Sequence, residues 1–165
     1  MRRIDPKEIS LRPFAALDDD WALLASGADK PNLMTVSWGG FGTLWNRPVV
    51  TVYVRPTRFS YGLLNGHPEF TLNFMPDSRR DALELCGATS GIDTDKWAAA
   101  KLTPLAPESV KVPRVAEAGL SFECRILAAF DFDPARFFDK TILEQYPGKD
   151  FHRAFVGQVL AAFAA

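Results

Sequence analysis

Between Leu120 and Phe130 the chain places Leu120, Phe122, Cys124, Ile126, Ala128 and Phe130 at every second position. A helix would scatter such a set around its axis, whereas a strand lines it along one face. The same period recurs at Leu33–Trp38, where Met34, Val36 and Trp38 fall on one side and Leu33, Thr35 and Ser37 on the other. It returns at Phe70, Leu72 and Phe74, separated by Thr71 and Asn73. Pro48 to Val54 is nearly all apolar and rich in valine, which predicts a strand buried on both faces. His152 to Phe163 predicts a closing strand with Val159 and Phe163 on one face, and Trp21–Leu24 allows a further short one.

Helical signals are few and short. Asp5-Pro6-Lys7-Glu8 reads as one turn with proline at its first position. Thr57 is the expected N-cap of a helix through Phe59, Leu63 and Leu64 that closes at Gly66. Asp77 or Ser78 is expected to cap another that carries Leu83 and Leu85 and stops at Gly87. Ser90–Asp93 reads as a loop, Thr94–Lys101 as a short helix, residues 102–118 with three prolines as an extended connection, and Asp133-Pro134 as a helical turn. Gly39-Gly40-Phe41-Gly42 is expected to turn the chain between two strands. It is not GxGxxG and opens no helix, so a Rossmann-type nicotinamide domain is not supported. Strands outnumber helices and follow one another without βαβ alternation. The expected fold is therefore mainly β, an antiparallel barrel with short helices packed outside it.

A length of 165 residues suits one domain, with residues 1–31 as a lead-in segment. With 47% hydrophobic and 24% charged residues the chain can bury a core, which excludes a disordered class. A net charge of −1, with Arg2-Arg3 and Arg79-Arg80 as isolated pairs, leaves no basic face for nucleic acid. Met1-Arg2-Arg3 leads into Asp5, Lys7 and Glu8, not into the apolar run of a secretory signal, and no stretch has the length of a membrane-spanning helix. A cytoplasmic protein is expected. Cys86 and Cys124 form no CxxC pair, and His67 and His152 show no ligand spacing, so neither a redox disulfide nor a metal site is expected.

The segment Arg55-Pro56-Thr57-Arg58-Phe59-Ser60 carries the sharpest chemical signal. Arg55 ends a buried strand, Pro56 turns the chain out of the sheet, and a helix follows at once. First-turn amides, the hydroxyls of Thr57 and Ser60, and forked bonds from Arg55 or Arg58 could together hold a phosphate. Thr35 and Ser37 share a face and could meet the polar edge of a ring system. Trp38, Trp45, Phe59 and Tyr61 stand around the glycines and the arginines as candidates to touch a ligand. Lys96, beyond Ser90-Gly91, could add positive charge near a phosphate. No Ser–His–acid set or carboxylate pair is spaced for catalysis, and Glu69, Glu84 and Glu123 are not nominated. Any redox chemistry would belong to a bound cofactor.

Asn32–Trp38, then Trp45-Asn46-Arg47-Pro48, then Val54–Ser60 together resemble the flavin reductase-like family of FMN-binding split barrels. The resemblance continues through Phe70–Asn73, Cys86-Gly87 to Ser90-Gly91 with Lys96, and His152-Arg153 to Gly157. It implies a Greek-key split β-barrel that forms a homodimer with FMN at or near the interface. It maps the phosphate onto Arg55, Thr57, Arg58 and Ser60, the last standing where the family often has threonine. It lays the isoalloxazine against Met34, Thr35, Val36, Ser37 and Trp38, with Asn46, Ser90, Gly91 and Lys96 as flanking positions. The chain ends at Ala165, soon after the expected closing strand, so no C-terminal extension is expected over the flavin. The implied activity is that of an FMN-dependent oxidoreductase: NAD(P)H or another donor reduces the flavin, which passes electrons to a partner. The alternatives are a non-catalytic FMN-binding or electron-carrier protein, or a barrel that has lost its cofactor. The last is opposed by the intact arginines and hydroxyls.

Overall fold

A computed structural model describes residues 1–165. Two antiparallel strands of 12 residues, β9 (Leu120–Asp131) and β10 (Arg153–Ala164), form its spine. Their register shifts between Val156 and Gly157 and again between Val159 and Ala161, which bends the pair so that the sheet can curl. On the far side of β9 lie β6 (Glu69–Phe74), β2 (Ala22–Ser26) and β3 (Asn32–Val36) in that order. On the far side of β10 lie β5 (Arg47–Val54) and then β4 (Gly39–Leu44). Strand β10 divides that second edge, giving Arg153–Gln158 to β5 and Ala162–Ala164 to β1 (Arg2–Ile4). Every pairing in the sheet is antiparallel, and the architecture is a mainly β split barrel.

The interior is filled by alternate residues of these strands, among them Leu24, Met34, Val50, Val52, Phe70 and Phe155. Strands β2 and β3 are apolar on their other face as well. There Leu23 and Leu33 pack with Leu83 and Cys86 of α3 (Arg80–Ala88) and with Val115 of the small hairpin β7–β8 (Pro104–Leu105 and Arg114–Val115). The remaining helices are short: α1 (Ala15–Asp18), α2 (Phe59–Gly66) and α4 (Lys96–Ala99). The proline-led turns expected at Pro6 and Pro134 are 3-10 turns capped by the carboxylates of Asp5 and Asp133. Glu123 is fully buried and accepts from the amides of Glu108 and Ser109 beside the Arg114 guanidinium, fixing the long connection to the sheet. No helix is long and apolar enough to cross a membrane.

The structure corrects the sequence reading at three places near the site. Gly39, Gly40 and Gly42 do not turn the chain, because they lie inside β4, opposite Val52, Thr51 and Val49. At Gly39 the reason is packing: an added Cβ would lie 2.6 Å from the Thr51 carbonyl oxygen and 2.8 Å from Leu17 Cδ1. The turn is Trp45-Asn46, with φ of 52° and 57°, the left-handed pair that matches the twist of a two-residue hairpin. Strand β5 is not buried on both faces, since Thr51 and Tyr53 stay partly exposed while Val50, Val52 and Val54 are buried. Thr57 does not cap α2. A turn closed by the Arg58 amide on the Arg55 carbonyl (3.0 Å) carries the chain out of β5, and Arg58 takes the capping position without a side-chain bond.

Candidate functional site

Two clefts adjoin on the side of the barrel where β3, the end of β5 and the start of α2 converge, and both are walled by Met34 and Arg58. The first encloses about 200 Å³ over β3, along Met34, Thr35, Val36, Ser37 and Trp38, with Tyr53, Arg55 and His152 opposite. The second encloses about 140 Å³ between α2 and the segment that joins α3 to α4, where Thr57, Ser60, Ser90, Gly91 and Lys96 line it. Neither lining contains an aspartate or glutamate.

The second cleft has the charge and donors that suit an anion. Lys96 is only 4% exposed and has no carboxylate partner. Its ammonium donates to the carbonyl of Cys86 at 2.7 Å, one of the last carbonyls of α3. Those carbonyls lack helical partners and carry the negative end of the helix dipole, which allows a cation to be buried there without a counter-ion. Burial still holds the Lys96 pKa below the ordinary lysine value. Two of its three protons remain to be donated. Arg58, exposed at the rim, has no carboxylate partner either. Ser60 accepts from the side-chain amide of Asn32 at 2.9 Å, so its own hydroxyl proton is free to donate into the cleft. At Gly91 an added Cβ would collide with the Asn32 carboxamide and lie 2.8 Å from the Phe59 ring, so no side chain could occupy that wall.

The first cleft is flatter. Strand β3 is an edge strand paired with β2 alone, so the backbone groups along its other edge are not engaged in a sheet. The Thr35 hydroxyl donates to the Leu83 carbonyl, which ties β3 to α3 and leaves the Thr35 oxygen as an acceptor only. Arg55 stands in this cleft, not in the cation-rich one. It is already engaged: it bonds both Asp150 oxygens at 3.1 Å, donates to the Gln145 carbonyl at 2.9 Å, and lies 4.9 Å over the Tyr146 ring. The Arg55 guanidinium holds the Asp150 carboxyl below the usual carboxylate range. His152 bonds the Tyr146 hydroxyl through Nδ1 at 2.8 Å and lies 5.2 Å from the Trp38 ring. Burial, with the positive charges of Arg55 and Arg58 nearby, pushes its pKa down to about 4, so it is neutral at pH 7.

Twelve of the thirteen residues singled out from the sequence line one cleft or the other. Asn46 does not, because it sits at the tip of the β4–β5 turn. Of the four aromatic ligand candidates Trp38 and Phe59 line a cleft and Trp45 and Tyr61 do not, whereas Asn32, Tyr53 and His152 belong to the linings without having been nominated. Tyr53 could have been found from β5 itself, since it precedes Arg55 by two residues and shares its face. Nothing local marks His152, which is brought in only by the pairing of β10.

The profile of the family described as "Flavin reductase like domain" matches residues 20–164. An uncharacterized protein of Archaeoglobus fulgidus is 26% identical over 129 residues, covering 78% of this chain and 72% of that one. Among solved structures, the FMN-binding protein of Thermus thermophilus superposes with a TM-score of 0.71 at 22% identity, covering 99% of this chain and 80% of that one. Nitrilotriacetate monooxygenase component B of Bacillus cereus superposes with a TM-score of 0.72 at 20% identity, covering 100% of this chain and 82% of that one.

Proposed function

The chain belongs to the flavin reductase-like domain family, and we propose that it binds FMN across the two clefts as a redox protein. One observation carries this reading: the buried ammonium of Lys96, which has no carboxylate partner, stands beside Arg58 in a cleft without carboxylates, next to a flatter cleft laid along an open strand edge. A dianionic phosphate would meet Lys96, Arg58 and the hydroxyls of Thr57 and Ser60 there, each bond charge-assisted. The ring would lie on Met34–Trp38, where the free edge of β3 offers backbone donors and acceptors to its polar rim. Bound flavin supplies one- and two-electron chemistry that no side chain of this protein can perform. Backbone donors on that free edge would favour the negative charge that reduction places on the rim, while Arg55, held by Asp150, keeps the opposite wall in position. NAD(P)H or another donor would supply the electrons, and a separate acceptor would take them up. The FMN-binding neighbour and the monooxygenase component support this assignment by fold. Exposed Trp38, Leu44 and Trp45 on and beside β4 support a homodimer that covers this edge.

The test is a titration with FMN followed by visible absorption and by protein melting temperature. Retention of a flavin band and a rise in melting temperature are expected. Their absence in the wild-type protein would overturn the proposal. Oxidation of NADH or NADPH in the presence of added flavin then separates a reductase from a carrier, for a carrier would bind FMN and show no turnover.

A further inference from the structure

Residues 5–13, between β1 and α1, form a strap at one mouth of the barrel, and between the strap and the start of β5 lies a cavity of about 320 Å³. Barrel mouths are a preferred place for small-molecule sites. This cavity shares no residue with either cleft described above. Val50 lines it and Val54 lines the ring cleft, about 13 Å apart along β5.

Its floor is the barrel core. Val50, Phe122 and Val159 are buried there, and the Phe41 ring stands 5.9 Å from both Phe74 and Phe122. Its cover is loosely tied. Residues 9–13 make no backbone hydrogen bond to a strand, and Ile9 and Leu11 rest on the core by side-chain packing. Such a cover can lift without breaking the sheet. Charge and shape select the occupant. Lys7 is the only charged residue of the lining; it is exposed at the rim, and no carboxylate pairs with its ammonium. The Asp5 carboxylate accepts instead from the Lys7 amide at 2.9 Å, and Glu8 lies outside the lining. A phosphate would meet a single cation above apolar walls, and a cation would meet repulsion. A molecule with an apolar body and one negative end would satisfy both parts, and the walls of valine, isoleucine, leucine and proline suit a flexible alkyl chain.

We infer that this cavity binds a free carboxylate with an unbranched alkyl chain of medium length, the chain lying over Val50, Phe122 and Val159 and the carboxylate at Lys7. The inference does not rest on the function proposed above.

Calorimetry on the full chain, with and without FMN, tests it with hexanoate, octanoate, 1-octanol and octylammonium. Octanoate is expected to bind with a Kd below about 1 mM, and more tightly than octylammonium. Its two extra methylenes over hexanoate should tighten binding about fifteenfold, at about fourfold for each one buried. Lys7→Gln should weaken octanoate about two- to fivefold and leave octanol unchanged. Thr43 is exposed, lines the cavity and shares the face of Phe41, so Thr43→Phe should fill the mouth and weaken octanoate and octanol alike by about tenfold or more. Both substitutions are at exposed positions, and FMN affinity should be unaltered in both. An octanoate Kd above about 1 mM, a gain over hexanoate of less than about fourfold, tighter binding of octylammonium, or indifference to both variants would overturn the inference. So would a fall from dimer to monomer in Thr43→Phe together with no octanoate binding to the wild type, since the mouth would then belong to a second copy of the chain.

Discussion

Replacing Lys96 by methionine keeps the length of the side chain and removes its charge. In the free protein two effects oppose one another. The Cys86 carbonyl loses a charge-assisted bond at the end of α3, but a desolvated ammonium is no longer held without a counter-ion. The net effect on folding is therefore small. Binding of FMN has no such compensation, because two Lys96 protons now facing the cleft would be lost to the phosphate. A hydrogen bond to a charged group contributes about 1.5–3 kcal/mol, which predicts an increase in Kd of about 10- to 150-fold. Riboflavin, which has the ring but no phosphate, should bind wild type and variant alike. The assay is a pair of flavin titrations, read by fluorescence quenching, for each protein at fixed ionic strength. Equal losses for FMN and riboflavin, or an FMN affinity that is unchanged, would refute the placement of phosphate at Lys96.

Three further outcomes follow from the geometry. The Asp150 carboxyl is held low by Arg55, so its contribution to stability is present above the usual carboxylate range and is lost as the pH falls through its folded value; the melting temperatures of wild type and Asp150→Asn should differ at pH 7 and converge below about pH 4. His152 also costs stability on acidification, but at higher pH: the unfolded chain takes up its proton near the ordinary value of 6.5 while the folded one resists to about 4. Stability should thus drain away between those values, His152→Gln should remove that part of the slope, and NMR should show the His152 ring titrating near 4. At Gly157 an added Cβ would lie 2.5 Å from the Phe70 ring and 3.2 Å from Cys124 Cβ, so Gly157→Ala should destabilise by about 1–3 kcal/mol and lower the melting temperature by about 3–10 °C in calorimetry.

The fold was legible where one face of a strand is buried, because burial enforces a period of two. Phe70–Phe74 and Leu120–Phe130 emerge as β6 and β9 for that reason. The hairpin turn was not legible. A tryptophan at positive φ contradicts local preference, while the glycines that advertise a turn are needed at β4 for its close approach to β5 and Leu17. The cleft proposed for the phosphate is partly marked by local order, since Thr57, Arg58 and Ser60, which line it, follow one another around a helix start. The burial of Lys96 has no mark in the sequence, and only the packing of α3 against α4 produces it. The engagement of Arg55 depends on Asp150, 95 residues away, and that of His152 on Tyr146 and Trp38. Pairings of that kind have no signature along the chain.

The place of β10 in the sheet has a consequence for biosynthesis. It leaves the ribosome after every other strand of the sheet, yet it joins the β3–β2–β6–β9 half to the β5–β4 half. The ring bed lies on the first half, and Arg55 and Arg58 follow the last strand of the other. Until residues 153–158 pair with β5, the two sides of the site belong to separate, unclosed pieces whose strand edges are exposed. A nascent chain stalled before β10 would have every residue of the anion cleft and still be unable to align it with the ring bed. On the proposed function, a flavin-dependent gain in protease resistance should appear only after β10 has been released.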